Sequence, residues 1–453
     1  MEAKEIIFTL LFIPGSAGLA AAVTVWPGLR RVYLCLFFLG AIKIVDVNYI
    51  SREVYRGWVR GFEIGSLDML AIGLLAAVLA GSRKHRIRLM PPIFVAYLLF
   101  VLTTTLSVAS AYVPLYAAFG LLKLVRSLFV LWVISNAVWD EVDLKWIGLT
   151  ITAAVAIQGV ETMMDYVSGV YRARGTFDHP NTLGMYVNMY LPIIFAYLLN
   201  VRNRMRIPLA VVFGLGAGAV VLTLSRGSWV TMFIGLAIVT PLSFVLRVHP
   251  QKLIILALMA LLAIPPGIVA VQKMVRRMEE APVESGEARH KFNDTARKMA
   301  SDRFLGVGIN NYSYGTEATI YSEPHEGGPD EGGLCHNLYY LILGETGWIG
   351  LGTFVLTLAT AYMGIGRFIF FHRSEDLRSV WMVGWLGGLT TVVVQSSLEW
   401  ALLQTTLSFS FFGLLGVAAA IPKMASGPRV ARWRVLVRHV AAPAGITPQG
   451  VHS

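Results

Sequence analysis

Cysteine and charge are both scarce in this chain of 453 residues. The two cysteines, Cys35 and Cys335, lie far apart. One disulfide between them stays open, but so few thiols give neither a disulfide framework nor a Cys-based metal site. Only 14% of the residues are charged, where a soluble domain carries about 25%. That excludes an ordinary soluble protein. The alternation over about ten residues that marks a membrane β-barrel is missing. There is no internal repeat, no soluble domain with a core of its own, no Walker-type phosphate loop and no nucleic-acid motif. ATP and nucleic acid are therefore not expected as partners, and no cofactor is implied.

What is present is apolar length. Hydrophobic residues make up 56% of the chain, and the mean hydropathy is +0.63. Runs near twenty residues recur from end to end, and about that many are needed for a helix to cross a bilayer. The sequence predicts an all-α polytopic membrane protein with spans near 6–26, 32–48, 64–81, 91–109, 113–134, 146–166, 182–200, 208–224, 229–246, 253–271, 346–369, 379–399 and 403–421. That is a count of 13; reading the N-terminal pair differently gives 12. The first run is not read as a signal peptide, because Glu2 and Glu5 occupy what would be its basic n-region.

The net charge of +11 falls largely in short loops, which is the positive-inside pattern. Segments 82–88, 201–206, 247–252 and 371–378 and the basic tail should face the cytoplasm, and counting spans between them gives a consistent alternation. The other connections face outward. The longest, 272–345, far exceeds the usual two to eight residues of a helix connection. Two amphipathic stretches in it, "VQKMVRRMEEA" and "EARHKFNDTARKMA", read as helices; "GVGINNYSYG" and "EPHEGGPDEGG" read as loops. The organisation expected is a membrane domain over 1–425, capped by this partly helical extracytoplasmic loop, and a flexible basic tail over 426–453.

Several outward segments carry arginine against the positive-inside trend: Arg52, Arg56 and Arg60; Arg172 and Arg174; Arg226 in a very short turn; and Arg276, Arg277, Arg289, Arg297 and Arg303 in the long loop. Lys123 and Arg126 lie within a span. Charge at membrane depth costs about 2.5–3.5 kcal/mol and marks function by default. Converging guanidinium groups fit phosphate or pyrophosphate, which they hold in a bidentate fork. Plainer readings stand beside this. Arg52, Arg56 and Arg60 have the spacing of a solvated helix face. Lys123 and Arg126 fit snorkelling or pairing with a carboxylate in the bundle. His179, in "DHPN", fits a turn. Glu345 and Glu399 fit orienting or sensing roles, or simple pairing with a cation. The outward carboxylates Asp178, Glu317, Glu323, Glu326, Asp330 and Glu331 have no recognisable metal spacing.

Four segments together resemble the O-antigen ligase/polymerase family of bacterial envelope glycosyltransferases. "HNLYYLILGETGWIG" is similar to the family's histidine motif, through His336, Asn337, Gly347 and Gly350. "RARGTFDHPNTLGMY", with Arg172, Arg174, His179 and Asn181, resembles its Arg–Gly–Thr–Phe–x–His–Pro–Asn segment. "LTLSRGSWV", with Arg226, resembles its Ser–Arg–Gly turn. "DRFLGVGINNY", with Arg303, resembles its Pro–Leu–Gly–Val–Gly stretch, with Phe304 where proline is usual. The likeness covers roughly residues 90–420. It implies a GT-C-type fold, usually of about twelve spans, and no metal.

The resemblance also implies an activity. A glycan leaves undecaprenyl pyrophosphate for an acceptor hydroxyl on the periplasmic face of the inner membrane. The acceptor is another glycan or lipid A–core, and the family motifs do not separate ligases from polymerases. His336 is the expected general base, since a neutral imidazole accepts a proton near neutral pH. Arg174 and Arg226 are the expected pyrophosphate clamp, with Arg172 and Arg303 behind them. Asn337, Gly347, Gly350, Glu345, His179 and Asn181 are supporting positions. Counted as a continuous helix from His336, Gly344 and Gly347 share a face with residues 340, 343 and 351 and remove bulk below the histidine. The competing class is a transporter or flippase of a lipid-linked glycan, which would also need membrane arginines and an apolar groove. It often shows paired, broken repeats, which this chain lacks.

Overall fold

A computed structural model describes residues 3–201, 204–280, 284–322 and 332–424. The expected tail at 426–453 and the carboxylates Glu323, Glu326, Asp330 and Glu331 lie outside the described residues. The helices are α1 (Ala3–Val25), α2 (Leu29–Gly40), α3 (Ser66–Gly81), α4 (Pro92–Ser107), α5 (Pro114–Ala137), α6 (Glu141–Val167), α7 (Pro180–Asn200), α8 (Arg206–Leu222), α9 (Arg226–Leu246), α10 (Pro250–Glu280), α11 (Glu284–Asp302), α12 (Tyr312–Ala318), α13 (Leu338–Phe371), α14 (Leu377–Gln395) and α15 (Thr405–Ala420). One hairpin pairs β1 (Asp46–Tyr49) antiparallel with β2 (Phe62–Gly65), with Val47 opposite Ile64. The chain is an all-α polytopic membrane protein. Nine of the described helices are long and apolar enough to cross a membrane, and α3, α8 and the first part of α10 are shorter apolar helices.

Helix starts follow local chemistry. Proline opens α4, α5 and α7 at the first helical position, where its missing N–H costs nothing. Asp140 and Asp376 accept from the third residue of α6 and α14, as N-caps do. The expected second span, 32–48, is not a span: α2 has 12 residues and the chain then turns into β1. The stretch 46–49 is Asp-Val-Asn-Tyr, too polar to extend a membrane helix. Arg52, Arg56 and Arg60 sit exposed on the loop between the strands, so their i, i+4, i+8 spacing is not a helix face. In the long loop both predicted helices form, as the end of α10 and as α11. Part of "GVGINNYSYG" is also helical, as α12, and residues 338–345 already belong to α13.

The centre of the bundle is α7, which packs on α8, α9 and α14. Glycine lets α14 approach it. A Cβ on Gly388 would stand 2.3 Å from the Met189 carbonyl oxygen, and one on Gly384 2.6 Å from the Ile193 Cα. Small residues permit such close backbone contact in lipid, where no hydrophobic force separates helix from tail. Elsewhere α13 packs on α4 and α11, and α15 on α5.

Lys123 and Arg126 belong to this scaffold. Lys123 Nζ lies 3.2 Å from Glu63 Oε2, and Arg126 lies 2.6 Å from Asp68 and 3.3 Å from Glu63. Thr405 adds a hydroxyl donor to Glu63. Pairing satisfies charges that would otherwise be costly in the bundle.

Candidate active site

The site is a junction of chain segments distant in sequence. Helix α14 ends at Gln395, and the turn after it returns to the start of α13, where the Leu338 amide donates to the Ser396 carbonyl at 2.9 Å. The Gln395 side chain donates to Ser228 Oγ at 3.0 Å and accepts from Thr231 at 3.1 Å, joining this turn to α9. The first turn of α9 presses on the same place: a Cβ on Gly227 would stand 2.9 Å from Leu398 Cδ1. The 172–181 segment is tied in by Arg172, which donates to the Thr223 carbonyl at 3.1 Å and to Asn181 Oδ1 at 2.9 Å. Three helix N-termini meet here, those of α7, α9 and α13.

Each N-terminus is capped by a residue of the resembling motifs. His179 Nδ1 accepts from the Asn181 amide at 3.1 Å. Ser225 Oγ accepts from Ser228 at 3.4 Å. Asn337 Oδ1 accepts from the Tyr339 and Tyr340 amides at 3.0 and 3.3 Å. Such ends carry partial positive charge and favour anions.

Glu399 sits at the centre. One carboxylate oxygen accepts from Asn181 Nδ2 at 2.5 Å and lies 3.6 Å from Arg289 of α11. The other lies 3.5 Å from His336 Nδ1. That contact is electrostatic: Nδ1 has no hydrogen-bond partner among the described residues. Glu399 is largely buried, whereas the His336 side chain is 43% exposed. A carboxylate beside Nδ1 favours the proton there and leaves Nε2, the other nitrogen, as the acceptor. His179 stands close enough to feel Glu399, Arg172 and His336; desolvation first holds its imidazole below the usual value, against the opposing pull of Glu399 and with smaller help from Arg172. A low value suits its cap, because protonated Nδ1 cannot accept the Asn181 amide.

The sequence-predicted residues divide between this junction and its surroundings. His336, Asn337, Arg172, His179 and Asn181 gather in it, with Arg226 at the first position of α9. The Arg174 backbone is anchored by Asp165 at 2.8 Å, and its side chain is exposed like that of Arg226. Arg303 is engaged elsewhere: it donates to the Ser110 carbonyl at 2.9 Å and lies over the Tyr112 ring at 4.1 Å. Glu345 is buried and accepts from Trp58 Nε1 at 3.1 Å and the Tyr312 amide at 3.3 Å, with no cation against it among the described residues. It fastens the large loop and the β1–β2 loop to α13. Among the described residues no group of three or more His, Cys, Asp or Glu is placed to hold a metal ion.

Gly347 does not notch a continuous helix. Its φ of 66° and ψ of −172° break α13, so the face counted from His336 ends there. The break leaves carbonyls free, and the large loop takes them: the Val307 amide donates to Gly344 and the Gly308 amide to Glu345, both at 2.9 Å. Contact is close, since a Cβ on Gly347 would stand 2.1 Å from the Phe304 carbonyl oxygen. Two motifs that sequence treats separately, Gly-Val-Gly at 306–308 and the glycines after His336, thus form one clasp.

Fold and site together define a class: a multi-pass helical membrane protein with a histidine–carboxylate pair and arginines at the ends of its helices. Residues 209–355 match the family model described as O-antigen ligase, so this stretch is similar to the family that the motifs resemble. No curated protein matches the chain.

Proposed function

We propose that this protein transfers an oligosaccharide from undecaprenyl pyrophosphate to an acceptor hydroxyl at the periplasmic face of the inner membrane. The observation that carries the reading is His336 beside Glu399, 3.5 Å apart, where three helix N-termini meet next to Arg172 and Arg289. His336 Nε2 takes the proton of the acceptor hydroxyl. The freed oxygen bonds to the anomeric carbon as the bond from that carbon to the pyrophosphate oxygen breaks. The electron pair leaves with the pyrophosphate. Arg174 and Arg226, exposed on the rim, meet that charge, and Arg172 and Arg289 hold Asn181 and Glu399 in register. Donors aimed at developing charge often supply the largest catalytic contribution. These cations let the transfer proceed without a metal.

The acceptor separates a polymerase from a ligase. The test is glycan transfer in reconstituted membranes, with an undecaprenyl-pyrophosphate oligosaccharide alone or with lipid A–core. Chain growth from donor alone marks a polymerase; transfer only to lipid A–core marks a ligase. His336→Ala, folded as wild type, should lose either activity. Full activity in that variant refutes the base assignment. Movement of the lipid across the bilayer with no sugar transfer refutes the enzyme reading in favour of a transporter.

A further inference from the structure

Helix α13 carries the His336 junction at one end. At its other end lies a cleft of about 300 Å³ between α4, α13 and α15, outside the matched residues 209–355. Its floor is apolar, with Ile93, Ile365, Phe368 and Leu415. Space exists there partly because Gly364 has no side chain; a Cβ would meet nothing within 4 Å.

The mouth is cationic. Arg88, Arg367 and His372 line it. Neither guanidinium has a carboxylate partner among the described residues. Arg367 leans over the Phe371 ring at 5.5 Å, and His372 stacks on Phe368 at 4.4 Å. The Arg88 backbone is fixed by the Asn136 side chain, accepting from its Nδ2 at 3.1 Å and donating to its Oδ1 at 2.8 Å. The same oxygen accepts from Lys423 Nζ at 3.2 Å, so a further cation stands beside the mouth. Asp376 and Glu141, carboxylates at this end, are engaged by Arg378.

An apolar cleft with an unneutralised cationic rim at the end of membrane helices suits an acyl chain joined to a phosphate, the pattern of basic interhelical lipid pockets. We infer that this cleft holds an anionic glycerophospholipid, one acyl chain lying against Ile365 and Phe368 and the phosphate held by Arg88 and Arg367. It is a second lipid site, separate from the glycan carrier and removed from the chemistry by the length of α13.

Native mass spectrometry of the full chain, released from micelles containing equal phosphatidylglycerol and phosphatidylcholine, tests this. Wild type should retain one phosphatidylglycerol over phosphatidylcholine by roughly tenfold or more, as two arginines near a lipid surface would give. The double variant Arg88→Ala/Arg367→Ala should lose the preference, and Arg88→Lys/Arg367→Lys should keep most of it. Gly364→Trp, which fills the cleft and leaves both arginines in the chain, should reduce retention of both lipids. Equal retention by wild type, or an unchanged preference in the double alanine variant, overturns the inference. So does inorganic phosphate competing as well as the lipid, or a polyprenyl phosphate displacing phosphatidylglycerol at equal concentration.

Discussion

Replacing Gly347 by alanine should unclasp the large loop from the helix that follows His336. Its backbone, at φ 66° and ψ −172°, lies in a region essentially reserved for glycine, and an alanine held there costs about 1–3 kcal/mol. The new Cβ would also stand 2.1 Å from a backbone carbonyl oxygen, at Phe304, which cannot rotate away as a side-chain tip can. Relief requires the loop to move, which overpacks or breaks contacts at about 1–3 kcal/mol. The hydrogen bonds from Val307 and Gly308 are then exposed to loss, at about 1 kcal/mol each. Because moving the loop relieves part of the strain, these contributions overlap, and the expected total is roughly 3–5 kcal/mol. The control is Gly352→Ala on the same helix, where a Cβ meets nothing within 4 Å. There alanine should be neutral or stabilising by up to about 1 kcal/mol. Unfolding in mixed micelles and limited proteolysis of the 284–322 segment measure the difference. If both variants unfold alike and their loops are cut at wild-type rates, Gly347 is a packing residue in an intact helix and the clasp is wrong.

Further predictions concern the site and its scaffold. Glu399→Gln should slow transfer less than His336→Ala, for which a drop of about 10²–10⁴-fold is expected of a lost general base, and should alter the pH–rate profile; a wild-type rate and profile would remove Glu399 from the mechanism. His179 has a folded value below its unfolded one, so its contribution to stability is full above the ordinary histidine range and is lost as pH falls through the lowered folded value. His179→Asn, which keeps an N-cap oxygen, should flatten that low-pH loss in a melting series; an unchanged slope would refute the cap. Glu63→Ala leaves Lys123 and Arg126 short of a partner in the bundle and should destabilise by about 3–5 kcal/mol, read by unfolding in micelles, whereas near-neutral behaviour would mean water reaches the pair.

Local pattern carried the helices and several residues of the candidate site. Hydropathy placed most of the apolar segments because a membrane helix must satisfy its backbone within one stretch of chain. It failed at 32–48, where an apolar run of helix length was joined to a polar turn and read as one span. His336, Arg172, Asn181 and Arg226 were legible through motif chemistry, and the structure brings their segments together. In the sequence Glu399 is only a carboxylate at the end of a span. Nothing local distinguishes it from a residue pairing with any cation, since its partners Asn181, Arg289 and His336 come from three separate segments. Gly347 misled for a related reason. Helical periodicity assumes an unbroken helix, and only the crossing of the large loop makes the break favourable there. For Lys123 and Arg126 the sequence is equally compatible with pairing and with function, because the carboxylates that engage them, Glu63 and Asp68, lie about sixty residues away in the chain.

The junction of distant segments bears on how such a protein can be divided or exchanged. The matched stretch 209–355 contains His336, Arg226 and Arg289, yet Arg172, Asn181 and Glu399 lie outside it, as do α7 and α14, which hold its ends together. That stretch is therefore no portable module. Grafted into another chain, it would bring His336 without the Glu399 carboxylate beside it, and the host would have to supply matching residues at both flanks. Changes in one part of such a site must be answered in the others, so its segments are expected to diversify in step rather than one at a time.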